Sequence, residues 1–405
     1  MKSKTLFYLI LITFFTTLIP AMHAQTFSVI YTFTGGTDGG GPFAGVTIRG
    51  NALYGTTPDK FDNCGNMYQL THSGSNWSFS TLATLSKGCW PEARAVFGPD
   101  GHLYSTAATS GTYGGGNVFK LTPQVGPCRD VACYWTVNDL HDFGSGSDGV
   151  GPKGADLIWD QQGNIYGTTY YGGTSNLGTV YELTPSGNGY TENVIYSFSG
   201  LDGISPSAGL IFDNKGNLFG ATELGGVYGG GTVFELTYVP GVGWTEHVLY
   251  NFTGADDGAL PLGSLIFDAA GNLYGTAWGG GHNGNGGGTV FELSPSGDTW
   301  TFNLLYGFSR PYYSQNCGPA TTLTMDGEGN LYGTTFCDGL YDNGSVFKLS
   351  NTQNGWVYTS LHDFTGGSDG RIVASNVSID TDGTLYGTAA YGADNNNGVV
   401  WMIKP

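Results

Sequence analysis

Positive charge is scarce in this chain. Only 14 Lys and Arg stand against 32 Asp and Glu, a net charge of −18. A surface this poor in cations has little to offer phosphate groups, which excludes nucleic acid as a partner. Long apolar runs are scarce as well. Past the first two dozen residues no segment is long and apolar enough to cross a bilayer as a helix. Charged residues make up only 11% of the chain, so stability cannot rest on ion pairs. The chain also lacks the His/Cys spacing of a zinc site, a G-x-S-x-G elbow, a P-loop and a dinucleotide fingerprint. The expectation is therefore no metal and no cofactor.

What is present is glycine and aromatic surface. There are 70 Gly, 25 Tyr and 23 Phe in 405 residues. Glycine at this level without a three-residue period, joined to large apolar rings, predicts an all-β domain rich in tight turns. The first 24 residues differ in kind. Lys2 and Lys4 precede an apolar run from Leu6 to Ile19, followed by "PAMHA". That is the layout of a secretory signal peptide cut after Ala24, and it leaves residues 25–405 as one domain. Loss of Lys2 and Lys4, with no acid, takes the balance from −18 to −20. The expected location is extracellular or periplasmic, with no membrane span after cleavage, and the expected state is a monomer.

Six cysteines follow the leader. An even count in an exported chain predicts disulfides. Spacing favours Cys128–Cys133 as a short loop closure, with Cys64–Cys89 and Cys317–Cys337 tying loops in the first and sixth repeats.

The chain repeats itself. "LYGT" or a close variant occurs at 52–57, 102–107, 164–169, 217–222, 272–277, 330–335 and 384–389, spaced 50 to 62 residues apart. A second element, "GTVFEL" and its variants, follows each copy. A third, such as "AGLIF" (208–212), precedes each copy across an Asp-Gly turn. A fourth ends in an aromatic, as in "TENVIYSF" (191–198). All four are short, rich in Val, Ile, Tyr, Phe and Thr, and bounded by Gly, Asn or Asp, which is the strand signature. Four strands per 50 to 60 residues is a propeller blade. The seventh repeat lacks its fourth strand, whereas an orphan copy, "TFSVIYTF" (26–33), opens the domain. The expectation is a seven-bladed β-propeller of four antiparallel strands per blade, its last blade closed by the N-terminal strand. The glycine in "LYGT" is expected to allow close backbone approach, with Ser105 the one exception.

The stretch "AGLIFDNKGNLFGATELGGVYGGGTVFELT" (208–237) and its copies resemble the GloVer tandem repeats of secreted bacterial proteins, over about residues 26–403. The resemblance implies a propeller and export and carries no established activity. The strand–turn–strand pattern is also similar to NHL repeats, and the "GG" to kelch repeats. The "S-x-D-x-G-x-T-W" boxes of sialidase-like propellers are absent.

Ligand contacts are expected on the face carrying the long, variable loops. Two groups of candidates emerge. Trp278, His282, Tyr170, Tyr171, Trp90, Tyr312 and Tyr313 are loop residues suited to sugar rings or apolar partner surfaces; Phe336 and Tyr391 occupy similar loops. The second group is one position of the first strands, polar and varied where its neighbours are apolar: Gly45, Arg94, Asp156, Gly209, Ser264, Thr322 and Asn376, with Glu92, Lys153 and Arg371 nearby in sequence. The inter-blade Asp-Gly pairs (Asp38, Asp148, Asp202, Asp257 and Asp369) have the wrong spacing for a calcium loop and read as turn caps. Three functions fit: a secreted binding or scaffold propeller for an extracellular glycan or protein, an extracellular polysaccharide lyase or hydrolase acting at the channel mouth, and a structural envelope protein.

Overall fold

In each repeat an Asp starts the turn that makes a hairpin of the first two strands. Asp213 Oδ1 accepts the backbone N–H groups of Lys215 and Asn217, both at 2.8 Å, and Asn217 Nδ2 returns to Oδ2 at 2.9 Å. Gly216, with φ at 87°, closes the turn. A computed structural model describes residues 25–58, 64–74, 76–124, 135–144, 147–154, 156–187, 189–281, 286–309 and 317–405. Among these residues there is no helix, and the strands form seven four-stranded antiparallel sheets, the blades of a propeller. Blade 4 is typical: Ile211–Phe212, Leu218–Thr222, Thr232–Val239 and Gly243–Asn251, side by side in chain order. The innermost ladder is only two residues long there and three at most elsewhere.

The seventh blade is closed as the sequence predicts. Thr26–Thr32 pairs antiparallel with Val399–Lys404, in register from Thr26↔Lys404 to Thr32↔Val399. Every outer pair carries one bulge at the same place. The residue it leaves unpaired is always aliphatic, as with Ile30, Leu249 and Leu305. The extra residue resets the alternation, so that the terminal aromatics Phe33, Phe143, Phe198, Phe252 and Phe364 are fully buried.

The core is divided among seven clusters, each shared by two adjacent blades. Cluster members Val400 and Tyr386 of blade 7, for instance, meet Val46, Leu53 and Tyr68 of blade 1. The "LYGT" residues make these contacts possible, though not in the expected way. A Cβ on Gly275 would lie 2.5 Å from Phe291 Cζ, so the glycine makes room for a ring from the next strand, not for a neighbouring backbone. The Thr is what joins blades. Thr106, Thr168, Thr276 and Thr334 each donate to a carbonyl of the following blade, at 2.7–2.9 Å. Thr388 does so across the closure, to Pro42 at 2.8 Å. Blade 4 has Ala221 in this place and makes no such bond.

The Cys64–Cys89 and Cys317–Cys337 disulfides are present. Cys128 and Cys133 lie outside the described residues, as do residues 1–24. No helix among the described residues is long and apolar enough to cross a membrane. The Asp-Gly carboxylates act as caps: Asp38 accepts from Thr34 N at 2.8 Å and from Tyr31 Oη at 3.0 Å, and Asp257 repeats both bonds with Thr253 and Tyr250. His141 and His362 stand in for that tyrosine. His362 Nε2 is 3.1 Å from Asp369, and His141 Nε2 is 3.5 Å from Asp148.

Candidate functional site

On the long-loop face each inter-blade segment bends sharply before it enters the channel. Trp90, Ser205, Leu260 and Ile372 hold φ near 60° at this bend, an unusual conformation for residues with a Cβ. A proline follows in all but the last (Pro91, Pro206 and Pro261; Val373 replaces it). It packs on the glycine that opens the third strand of the preceding blade. Gly231 has φ at 98°, and a Cβ there would lie 2.6 Å from Pro261 Cδ. The bend therefore fixes where the next few residues stand.

Those residues build a cavity of about 340 Å³ at the channel mouth. It consists of three stacked rings, each drawn from one repeat position. The lowest is the predicted polar ring, which precedes the short inner ladders instead of lying within them. Its members touch around the channel. Arg94 donates from Nε at 3.0 Å and from Nη2 at 2.6 Å to the same oxygen, Asp156 Oδ2. Gly209 N donates to Ser264 Oγ at 2.8 Å, and Ser264 N to Thr322 Oγ1 at 3.0 Å. A Cβ on Gly45 would collide with Asn376. The second ring is the residue after the bend proline or its counterpart, and it brings Phe43, Glu92, Lys153 and Leu262 to the cavity. The third is the residue just past the second strand, and it supplies Glu223, Trp278 and Phe336.

The cavity has two unlike walls. Blades 2 to 4 contribute Glu92, Arg94, Lys153, Asp156 and Glu223. Blades 5, 6 and 1 contribute Trp278, Phe336 and Phe43, with Trp278 and Phe336 edge to face at 5.8 Å. Burial pushes the Glu92 carboxyl above the ordinary range, and the nearby Lys153 charge opposes that rise. Burial, then the Glu223 charge, pushes the Tyr170 phenol up to about 12. Among the described residues no group of three or more His, Cys, Asp or Glu is placed to hold a metal ion.

Trp278, Arg94, Asp156 and Asn376 of the predicted residues therefore line one site. Tyr170 borders it, with Lys153 Nζ 5.5 Å from its ring centre. Tyr171 is half exposed and packs edge-on against Tyr170 at 4.7 Å. Trp90 is also half exposed and lies outside the cavity, because its positive φ turns the chain there before Glu92 enters. Arg371 lies outside the cavity too, over Tyr391 at 5.6 Å. His282, Tyr312 and Tyr313 fall outside the described residues. Sequence reasoning missed Glu223 and Phe43. The signal for Glu223 was available, since it occupies the repeat position of Trp278 and Phe336; a search for aromatics alone passes over it.

Known structures share this architecture. A protein from Lactobacillus plantarum superposes with a TM-score of 0.54 at 15% identity, over 84% of this chain and 88% of that one. A polysaccharide lyase of family PL25, an ulvan lyase, superposes with a TM-score of 0.51 at 13% identity, over 90% of this chain and 93% of that one. At these identities the likeness is one of fold. No curated protein matches the sequence. The repeat itself is recognised along the chain, at residues 16–211, 134–315 and 247–405, and on that match the protein belongs to the Gloeobacter/Verrucomicrobia repeat family.

Proposed function

We propose that this protein is an exported propeller that binds an extracellular glycan at the channel mouth. The observation that carries the reading is the two-walled cavity. A pyranose has an apolar face that suits the Trp278–Phe336 wall and a rim of hydroxyls that suits the charged wall. The N-terminal leader and two disulfides agree with an oxidising compartment outside the cytoplasm. The test is a glycan array probed with the purified chain lacking residues 1–24. Trp278→Ala and Arg94→Ala are expected to weaken binding by about tenfold or more each, from lost stacking and an unpaired Asp156. Binding that neither change affects places the ligand elsewhere.

One observation favours a second reading, a polysaccharide lyase or hydrolase at the same site. Glu92 is a cavity-lining carboxyl with a raised pKa, the property of a general acid or base. Chain cleavage of a bound polymer by the parent protein, abolished in Glu92→Gln, is the outcome that selects this reading.

A further inference from the structure

The charges of the cavity do not balance. Five charged side chains line it, three carboxylates and two cations. Arg94 is committed to Asp156, both of its short bonds going to one oxygen. Lys153 is exposed and stands over the Tyr170 ring at 5.5 Å. That leaves Glu92 and Glu223 facing one exposed ammonium. Glu92 is half-buried, and its carboxylate makes no hydrogen bond among the described residues. Carboxylates withdrawn from water without a full partner favour an incoming cation.

The opposite wall points the same way. Trp278, Phe336 and Phe43 present ring surface to the cavity, and ring faces attract a cation as well as the apolar side of a sugar. At longer range the net charge of −20 left once residues 1–24 are removed draws polycations toward the surface. An anionic sugar meets the reverse at every distance. A uronate or sulfate would enter beside Glu92 and Glu223, with only Lys153 free to answer it.

We propose that the channel mouth takes an amino sugar with a free, protonated amine, its ammonium against Glu92 and its ring along Trp278 and Phe336. This rests on the glycan-binding reading above and names the class of glycan. N-acetylation, which removes the charge while keeping the ring, abolishes the advantage. The pairing has a proton signature: the ammonium stabilises ionised Glu92 and counters the effect of its burial, so binding releases protons where Glu92 is partly protonated.

The experiment is calorimetric titration of the chain lacking residues 1–24, at mildly acidic pH and low salt, with four oligosaccharide probes of equal length: glucosamine, N-acetylglucosamine, glucose and galacturonic acid. The expected result is at least about tenfold tighter binding of the glucosamine oligomer than of the N-acetylated one, weakening with salt. Glu92→Gln is expected to erase that preference while melting like the parent. Trp278→Ala is expected to weaken all sugars that bind. If the N-acetylated, neutral or acidic oligomer binds as tightly as the amine, in a manner lost with Trp278→Ala, the amine assignment is overturned and glycan binding stands. A preference that survives Glu92→Gln overturns the assignment to Glu92. If none of the four binds, both proposals fall.

Discussion

Tyr68 and Tyr181 stand where four other blades place phenylalanine, over Gly55 and Gly167. Both rings are fully buried, and neither hydroxyl has a hydrogen-bond partner among the described residues. A buried hydroxyl without a partner keeps its desolvation cost and gains nothing in return. Tyr68→Phe and Tyr181→Phe should therefore each raise stability by about 1 kcal/mol. Thermal unfolding of the two variants checks this, and a lower melting temperature would show that the hydroxyls are satisfied. The opposite change is expected at the partner position. Gly275→Ala puts a methyl 2.5 Å from the Phe291 ring, which is packed on all sides. Overpacking there should cost about 1–3 kcal/mol. The glycine was legible in the sequence from its recurrence alone. Its reason was not, because the ring that needs the space lies some 16 residues further on, in the next strand. Trp278 shows the same limit for the site. Its departure from the repeat marked it as a contact, but nothing in its own loop showed that Arg94 and Glu92 face it across the channel.

Outer strands meet their neighbours through one repeated stack, and two blades break it. Tyr250 stacks on Phe302 at 4.6 Å, Tyr306 on Tyr358 at 4.5 Å, Tyr31 on Phe79 at 4.5 Å and His362 on Phe27 at 3.6 Å. At the second position of this pair blades 3 and 4 carry Glu192 and Glu246. Both carboxyls are pushed up to about 7, first by burial and then by Asp148 and Asp202 respectively. Each has an Oε1 that is buried without a partner. A carboxyl whose folded-state pKa lies above its ordinary 4.5 favours the fold while it is neutral. That contribution is fully present below about 4.5 and is lost as pH rises through about 7. The melting temperature should therefore fall over this interval, and the fall should flatten in the Glu192→Gln, Glu246→Gln double variant. Glu246→Phe should restore the aromatic stack with Tyr196 and raise stability most at the alkaline end. An unchanged pH profile in the double variant would mean that neither carboxyl is held neutral. The strands themselves were legible, since their residues recur at a fixed period. The bulges were not, because an extra aliphatic residue in "VIY" or "LLY" looks like ordinary strand sequence.

Closure makes seven separate interface cores into one cooperative unit. The N-terminal strand brings Phe27 to the blade 6/7 cluster and Phe33 to the blade 7/1 cluster. Thr388 and Ser378 add hydrogen bonds across the same seam, to Pro42 and Val46. Without Thr26–Thr32 the backbone of Val399–Lys404 becomes an unpaired edge, and Trp401, fully buried in the closed ring, loses its cover. The channel-mouth cavity depends on the same seam, since Phe43 and Gly45 enter from one side of it and Asn376 from the other. Deleting residues 25–34 should therefore lower the melting temperature of the whole domain and weaken ligand binding, although no deleted residue lines the cavity. Phe27→Ala should cost about 3 kcal/mol by emptying one position of that seam. A synthetic peptide of residues 25–34, added to the truncated chain, should supply the missing strand by pairing with Val399–Lys404 and recover the melting temperature in proportion to its concentration. A truncated protein that melts like the full one, or that ignores the peptide, would show that the ring does not depend on this strand for its stability.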